Sequence, residues 1–508
     1  MTSYSIIAHF GHIKQRILAR IRPKPHKIRP NLHQLARRPE QLPGFVQESS
    51  VAMRYLHLLE SLAWDQFPER NLAEKRGTPP VPYAPFAAAC LVKVDQQFVY
   101  MSQLRQYLVD HPALVWVLGF PVVASSRFSW GFDVEASLPT QRHFTRMLRQ
   151  IPNQTLQFLL DSSVTLLQTE LDHVEQITEP FGRRISLDTK HILAWVEENN
   201  PKAYLSESVR LDKNHQPKAD PDCKLGCKRK RNQPPPEEND EQPITPTKNP
   251  RRPTNFSAND EYYWGYASGV VATKIPGWGE FALAELTQTF DRDDLTYFFP
   301  LLKQVQRRLG RKPAFGAFDA AFDAFYVYEY FHHAGGFAAV PFVGRGGFKS
   351  RSFNEEGLPL CQAGLAMPLK STYWSKSSLV QHECGRYACP LLFPHPTAQS
   401  CPIDHKNWSK GGCVTTMPTS IGARIRYQLD RDSEAYKLLY KQRSANERIN
   451  SQALALGIER PKLRNKQAIA NHNTLIYILI NLRALCRVRK MKADLPSIPP
   501  DLPFSPQF

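Results

Sequence analysis

Apolar residues recur at helical spacing through the first third of the chain, most clearly in YLHLLESLAW, SQLRQYLVDHPALVWVLGF, RHFTRMLRQI and TLQFLLDSSVTLLQTEL. This pattern predicts a mainly helical region over residues 51–170. In the third segment Phe144, Met147 and Leu148 share one face, which leaves Arg142, Arg146 and Arg149 on or near the exposed remainder. Pro139 fits the approach to the first turn of that helix. A basic helical face of this kind is either simply solvated or laid against a DNA groove.

Past residue 180 the pattern changes. RRISLDTKHILAWV and GYASGVVATKIP read as strands, LTYFFPLLKQVQRRLG as a helix ending at Gly310, and PAFGAFDAAFD as a strand entering a loop. AFYVYEYFHHAG follows as a helix and GFAAVPFV as another strand. Alternation of this kind predicts an α/β domain over residues 180–490 with an interrupted central sheet. The first interruption is the polar interval 207–261, whose charges and consecutive prolines read as a linker. The second is 342–422, where helical periodicity gives way to a β-rich or irregular, cysteine-containing insertion. The segment SEAYKLLYKQRSANERINSQALAL has the period of a long helix. Further on, Leu475, Ile478, Leu479 and Leu482 form an inward stripe from which Arg483, Arg487 and Lys490 project. The proline-rich end, 491–508, reads as a loose tail and residues 1–50 as a basic flexible arm.

A chain of 508 residues is too long for one ordinary core and predicts several folded units. Lys and Arg number 65 against 47 Asp and Glu, a formal charge of +18 that favours an acidic polymer as partner. The arm contributes to this excess, as does the run Lys228, Arg229, Lys230 and Arg231, which suits a phosphate backbone. The longest apolar stretch, Leu475 to Leu482, falls far short of the roughly 20 residues a bilayer demands, so no membrane role is expected. The N-terminal residues lack the pattern of a secretory signal, and the expected compartment is cytoplasmic. Nine cysteines are too sparse for a disulfide scaffold. Four of them, Cys384, Cys389, Cys401 and Cys413, with His382 and His405 nearby, are candidates for a structural zinc site or else for buried thiols. Cys223 and Cys227 read as ordinary thiols.

Three acids stand where chemistry could gather. Asp188 alternates with Ile185 and Leu187 on a strand, Asp319 closes PAFGAF with Asp323 in the next turn, and Glu447 lies on the long helix. Spacing alone does not bring them together. The segments HPALVWVLGF with LPTQRHFTRML, GRKPAFGAFDAAFDAFYVYEYF and YKQRSANERINSQAL, however, resemble the DDE transposases of bacterial insertion sequences, whose catalytic domain is related to ribonuclease H. The resemblance runs from about Met101 to Val488 and implies Asp188, Asp319 and Glu447 as catalytic, metal-holding residues. It also implies Tyr440 and Arg443 as supporting or phosphate-binding groups. The acids Asp220 and Asp222 in KADPDCKLG compete for the first role, and Asp323 for the second. A lysine common seven residues after the glutamate is replaced here by Leu454.

The resemblance further implies Mg²⁺ or Mn²⁺ as cofactor, since hard oxygen ligands suit these ions and two of them assist phosphodiester cleavage. The implied partners are double-stranded DNA, both the element's terminal inverted repeats and the target, and further copies of the chain. A catalytically inactive, transposase-derived DNA-binding protein and a metal-dependent nuclease are the competing expectations.

Overall fold

The computed structural model describes residues 32–70, 81–228 apart from 176, 201 and 204, 261–342, and 351–494 apart from 377 and 378. The predicted arm thus lies outside the described residues up to 31, as do Arg229, Lys230 and Arg231 and the tail from 495.

The first part is helical, as the periodicity predicts. Helix α1 (Ser50–Leu59) starts where the Ser49 hydroxyl accepts from the Ala52 N–H at 3.2 Å. It is followed by α2 (Tyr83–Asp95), α3 (Met101–Asp110), α4 (Gln141–Gln150) and α5 (Asn153–Asp172). Thr140 caps α4, which buries Phe144, Met147 and Leu148 and leaves Arg142, Arg146 and Arg149 exposed.

The sheet comes next. Strand β1 (Arg184–Leu193) is followed by β2 (Lys224–Lys228), β3 (Glu261–Ile275) and β4 (Gly279–Thr289). Helix α6 (Leu295–Leu309), strand β5 (Phe315–Ala317), helix α7 (Phe325–His333) and strand β6 (Ala338–Ala339) complete the series. Gly310, in the left-handed region at φ +69°, ends α6 where the sequence predicts. Strand order is β2-β3-β1-β5-β6, with β4 also on β3. Strand β3 is antiparallel to β1, β2 and β4, whereas β1, β5 and β6 run parallel, so the chain forms a mixed α/β sheet. The strand period sends Ile185 and Leu187 into the core built on α6 and α7 and leaves Ser186 and Asp188 on the opposite face.

The insertion contains β7 (Leu369–Ser375), β8 (His382–Ala388) and β9 (Val414–Pro418), an antiparallel sheet in the order β9-β8-β7. Its own core is small, built on Met367, Tyr387 and Met417. The chain then returns through α8 (Ile421–Gln428), α9 (Glu434–Tyr440), α10 (Ser444–Ala455) and α11 (Lys466–Ala493). The predicted long helix is therefore two, joined by a 3-10 turn at Lys441–Arg443.

Two boundaries differ from the sequence expectation. The interval 207–261 is not all linker, because β2 lies inside it and extends the edge of β3 through the pairs Lys224↔Gly265 to Lys228↔Glu261. The helical region 51–170 is not a separate core either, since its apolar residues join those of β1, β3, α10 and α11 in one cluster. Buried polar pins reinforce that union. Glu285 on β4 accepts from Thr474 Oγ1 at 2.8 Å, Gln157 Nε2 at 3.0 Å and Thr287 Oγ1 at 2.6 Å. Asn481 on α11 donates to the Ala282 carbonyl at 2.8 Å and accepts from its N–H at 3.0 Å. Groups this deeply buried hold only because each finds a partner. Asp95 at the end of α2 likewise accepts from Arg54 at 2.6 Å, Tyr55 at 2.9 Å and Arg483 at 2.7 Å. Arg483, predicted to reach DNA, instead clamps α11 to α2, while Arg487 remains exposed.

Candidate functional site

Asp188 and Asp319 come together through strand register. Parallel β1 and β5 align Arg184 with Phe315, Ile185 with Gly316 and Ser186 with Ala317. Continued by two residues, that register sets Asp188 beside Asp319 on lines about 4.8 Å apart. The chain turns directly after Asp319, whose carboxylate caps the turn by accepting from the Ala321 N–H at 2.9 Å. Burial holds the Asp188 carboxyl well above its ordinary range, at about 6, and the Asp319 charge adds to the rise against a backbone hydrogen bond from Thr189. Burial raises Asp319 too, against the backbone N–H groups of its turn and the Arg443 charge.

Helix α10 and the turn before it cover this pair. Arg443 Nη2 lies 3.1 Å from Glu447 Oε1, and Arg443 Nη1 donates to Tyr440 Oη at 3.5 Å. The predicted spacing thus survives the helix break. Burial alone would weaken the Arg443 guanidinium's hold on its proton, but Tyr440, Asp188 and Glu447 together raise it. Its charge reaches both aspartates. Glu447 itself is 59% exposed and faces the arginine. Among the described residues no three His, Cys, Asp or Glu side chains stand close enough together to hold a metal ion. The arrangement is two neighbouring carboxylates, a guanidinium over them, and a third carboxylate held on the far side of that guanidinium.

Two members of the site were not anticipated. Asn450, one turn beyond Glu447, donates from Nδ2 to Asp188 Oδ2 at 3.0 Å, and its buried Oδ1 has no hydrogen-bond partner among the described residues. The spacing carried a signal, since 443, 447 and 450 follow one helical face. Asp294, just before α6, accepts from Thr189 Oγ1 at 2.7 Å, and burial followed by the Asp319 charge raises its carboxyl. Nothing in the local pattern around Asp294 marks it.

The competing acids have structural partners. Asp323 is fully buried and gripped by Arg426 at 2.7 and 2.6 Å, with the Tyr328 hydroxyl at 2.9 Å. Asp220 accepts from Tyr266 Oη at 2.7 Å, and Asp222 accepts from Asn465 Nδ2 and the Lys466 N–H, both at 2.9 Å, at the start of α11. Leu454, in place of the expected lysine, is exposed.

The four cysteines proposed as one zinc set do not form one. Cys384 sits inside β8, five residues from Cys389, a strand distance of roughly 17 Å. It contacts His382 Nε2 at 3.3 Å instead. Lys228 is exposed at the end of β2. No family model matches the chain, and no curated protein or solved structure matches it either.

Proposed function

We propose that the chain is an insertion-sequence transposase of the DDE type, with β1, β3, β4, β5 and β6 as a ribonuclease H-like catalytic sheet. The observation that carries this reading is the parallel register that brings Asp188 and Asp319 to neighbouring positions beneath the Arg443 and Glu447 helix. Two acids 131 positions apart in sequence share one spot on a sheet, and both carboxyls are raised by burial. Such groups await a cation.

The donor set fits Mg²⁺ or Mn²⁺, because it offers hard carboxylate oxygens and the unpartnered amide oxygen of Asn450. When bound, two such ions supply activation of water or a 3′-hydroxyl and stabilisation of charge on the phosphodiester. Asp188 and Asp319 hold the ions, and Asn450 fixes the rotamer of Asp188. Glu447 completes the set on leaving Arg443, and the freed guanidinium takes a phosphate oxygen of the DNA in exchange, for which its planar fork is suited. The exposed arginines of α4, with Lys228 and Arg487, provide further cationic surface for the duplex. Further copies of the chain are the expected partners on paired element ends. Among the described residues no helix is long and apolar enough to cross a membrane.

The test is incubation of the full chain with Mg²⁺ or Mn²⁺ and DNA bearing the element's terminal repeats. Strand transfer supports transposition. Cleavage without transfer replaces it with a nuclease, and binding without either reaction with a DNA-binding derivative, the outcome that Leu454 and the Arg443 to Glu447 pairing would favour. Asp188→Asn, Asp319→Asn and Glu447→Gln should each abolish chemistry while DNA binding persists.

A further inference from the structure

The insertion carries a second constellation, remote in kind from the carboxylates. Its sheet ends where β8 and β9 align Ala388 with Val414, and one further step of that register sets Cys389 opposite Cys413. The two are in close contact. A Cβ on Gly412, the residue before Cys413, would fall 2.6 Å from Cys389 Cβ and 3.3 Å from its Sγ, and Gly412 adopts φ +83°. Cys361 comes from a different direction. It opens a tight turn in which its carbonyl accepts from Gly364 at 3.0 Å and its N–H donates to Leu365 at 2.9 Å. This hairpin is tied to the end of β8, since Met367 donates to Pro359 at 2.9 Å and Ala388 to Pro368 at 3.1 Å. Cys361 and Cys413 then pack against the same Met367, Tyr387 and Met417 core. Burial, followed by the neighbouring Cys389 and Cys361, pushes the Cys413 thiol up, as sulfurs crowded together without a cation require.

Cys401 lies midway along the loop that joins Cys389 to Cys413, and it is only half-buried. Like Cys361 and Cys389, it opens a turn, its carbonyl accepting from Asp404 at 3.2 Å. Each of these three cysteines therefore sits at a corner of the backbone. The sheet they flank has too small a core to be held by apolar burial alone, the situation in which small folds use a metal.

We propose that Cys361, Cys389, Cys401 and Cys413 form a structural zinc site that closes the insertion. The site uses Cys361, which the sequence pattern left aside, and excludes Cys384. Binding is a proton-releasing exchange: Zn²⁺ and four thiols give a tetrahedral zinc tetrathiolate of charge −2 and four protons. The thiol contact between Cys389 and Cys413 gives way to Zn–S bonds of about 2.3 Å. The role is architectural, and it stands whether or not the acids of the main sheet perform transposition.

The test is metal analysis of the full chain, purified under reducing conditions from zinc-supplemented medium, with cobalt substitution as a second measurement. One zinc per chain is expected. The Co²⁺ form should show intense thiolate-to-cobalt absorption, and a thiol-blocking reagent should release the metal. Cys361→Ser, Cys389→Ser and Cys413→Ser should each lose the metal, while Cys384→Ser retains it. Should the serine variants fail to fold, the wild-type cobalt spectrum and metal content decide. The proposal is overturned by a metal-free protein whose thiols all titrate as free, by a Cys389–Cys413 disulfide, by zinc retained in all three serine variants, or by zinc lost in Cys384→Ser.

Discussion

The raised carboxyl of Asp188 makes a prediction about stability that needs no DNA. An aspartate held at about 6 in the fold against 3.8 in the unfolded chain destabilises the fold wherever it is ionised. The sign follows from proton binding. Below pH 3.8 both states are protonated and the residue contributes nothing. Between 3.8 and 6 the unfolded state loses its proton while the folded state retains it, so stability falls. Above 6 the full penalty is present. A difference of about 2.2 pH units at 1.36 kcal/mol each gives about 3 kcal/mol. Asp188→Asn removes the charge while keeping an oxygen for the Asn450 amide, so at pH 8 it should stabilise the metal-free protein by that amount. For 508 residues an unfolding entropy of roughly 1 kcal/mol/K converts this to a rise in Tm of about 3 °C. The assay is thermal unfolding of both proteins in chelator at pH 3.5, 5 and 8. The gain should grow from near zero at the lowest pH, and Mg²⁺ should raise the Tm of the wild type but not of the variant. A variant less stable than wild type at pH 8, or a difference that ignores pH, would refute the reasoning.

Other consequences are checked as directly. Asp95→Ala leaves three donors facing an empty buried position and should cost about 3 to 5 kcal/mol, read by denaturant unfolding. Arg483→Ala should lower stability and leave the salt dependence of DNA binding unchanged, whereas a lower salt slope at unchanged Tm would return that arginine to the DNA interface. Replacing Arg142, Arg146 and Arg149 together by Ala should reduce the slope of log K against log salt by about 3 if each meets a phosphate. Asp323→Asn should weaken the anchoring of α8 and lower Tm without changing Mn²⁺ binding at the acids, the opposite of Asp319→Asn.

Much of this architecture was legible because local pattern and tertiary role agree. The run ISLD alternates because one face of β1 meets α6 and α7, and the strand ahead of Asp319 ends where its carboxylate caps a turn. Pattern failed where the interior is polar. Asn471, Thr474 and Asn481 lie fully buried on α11, and their pairing with the sheet and α5 arises only once distant elements meet. The same blindness made the N-terminal helices look separate and Arg483 look free. Strand β2 was hidden by its composition, because KLGCK takes its extended form from the length of β3 beside it rather than from its own propensity. For the cysteines, spacing along the chain misled, since a straight strand separates Cys384 from Cys389 while register unites Cys389 with Cys413.

The pairing of Lys228 with Glu261 has one more consequence. Whatever path residues 229–260 follow, their two ends are fixed one strand spacing apart on the rim of the sheet. Nothing else in the fold has to move if that segment is shortened, lengthened or exchanged. The rim is thus a splice point, where a two-residue hairpin turn or an unrelated domain could be grafted and the sheet would still close over its acids.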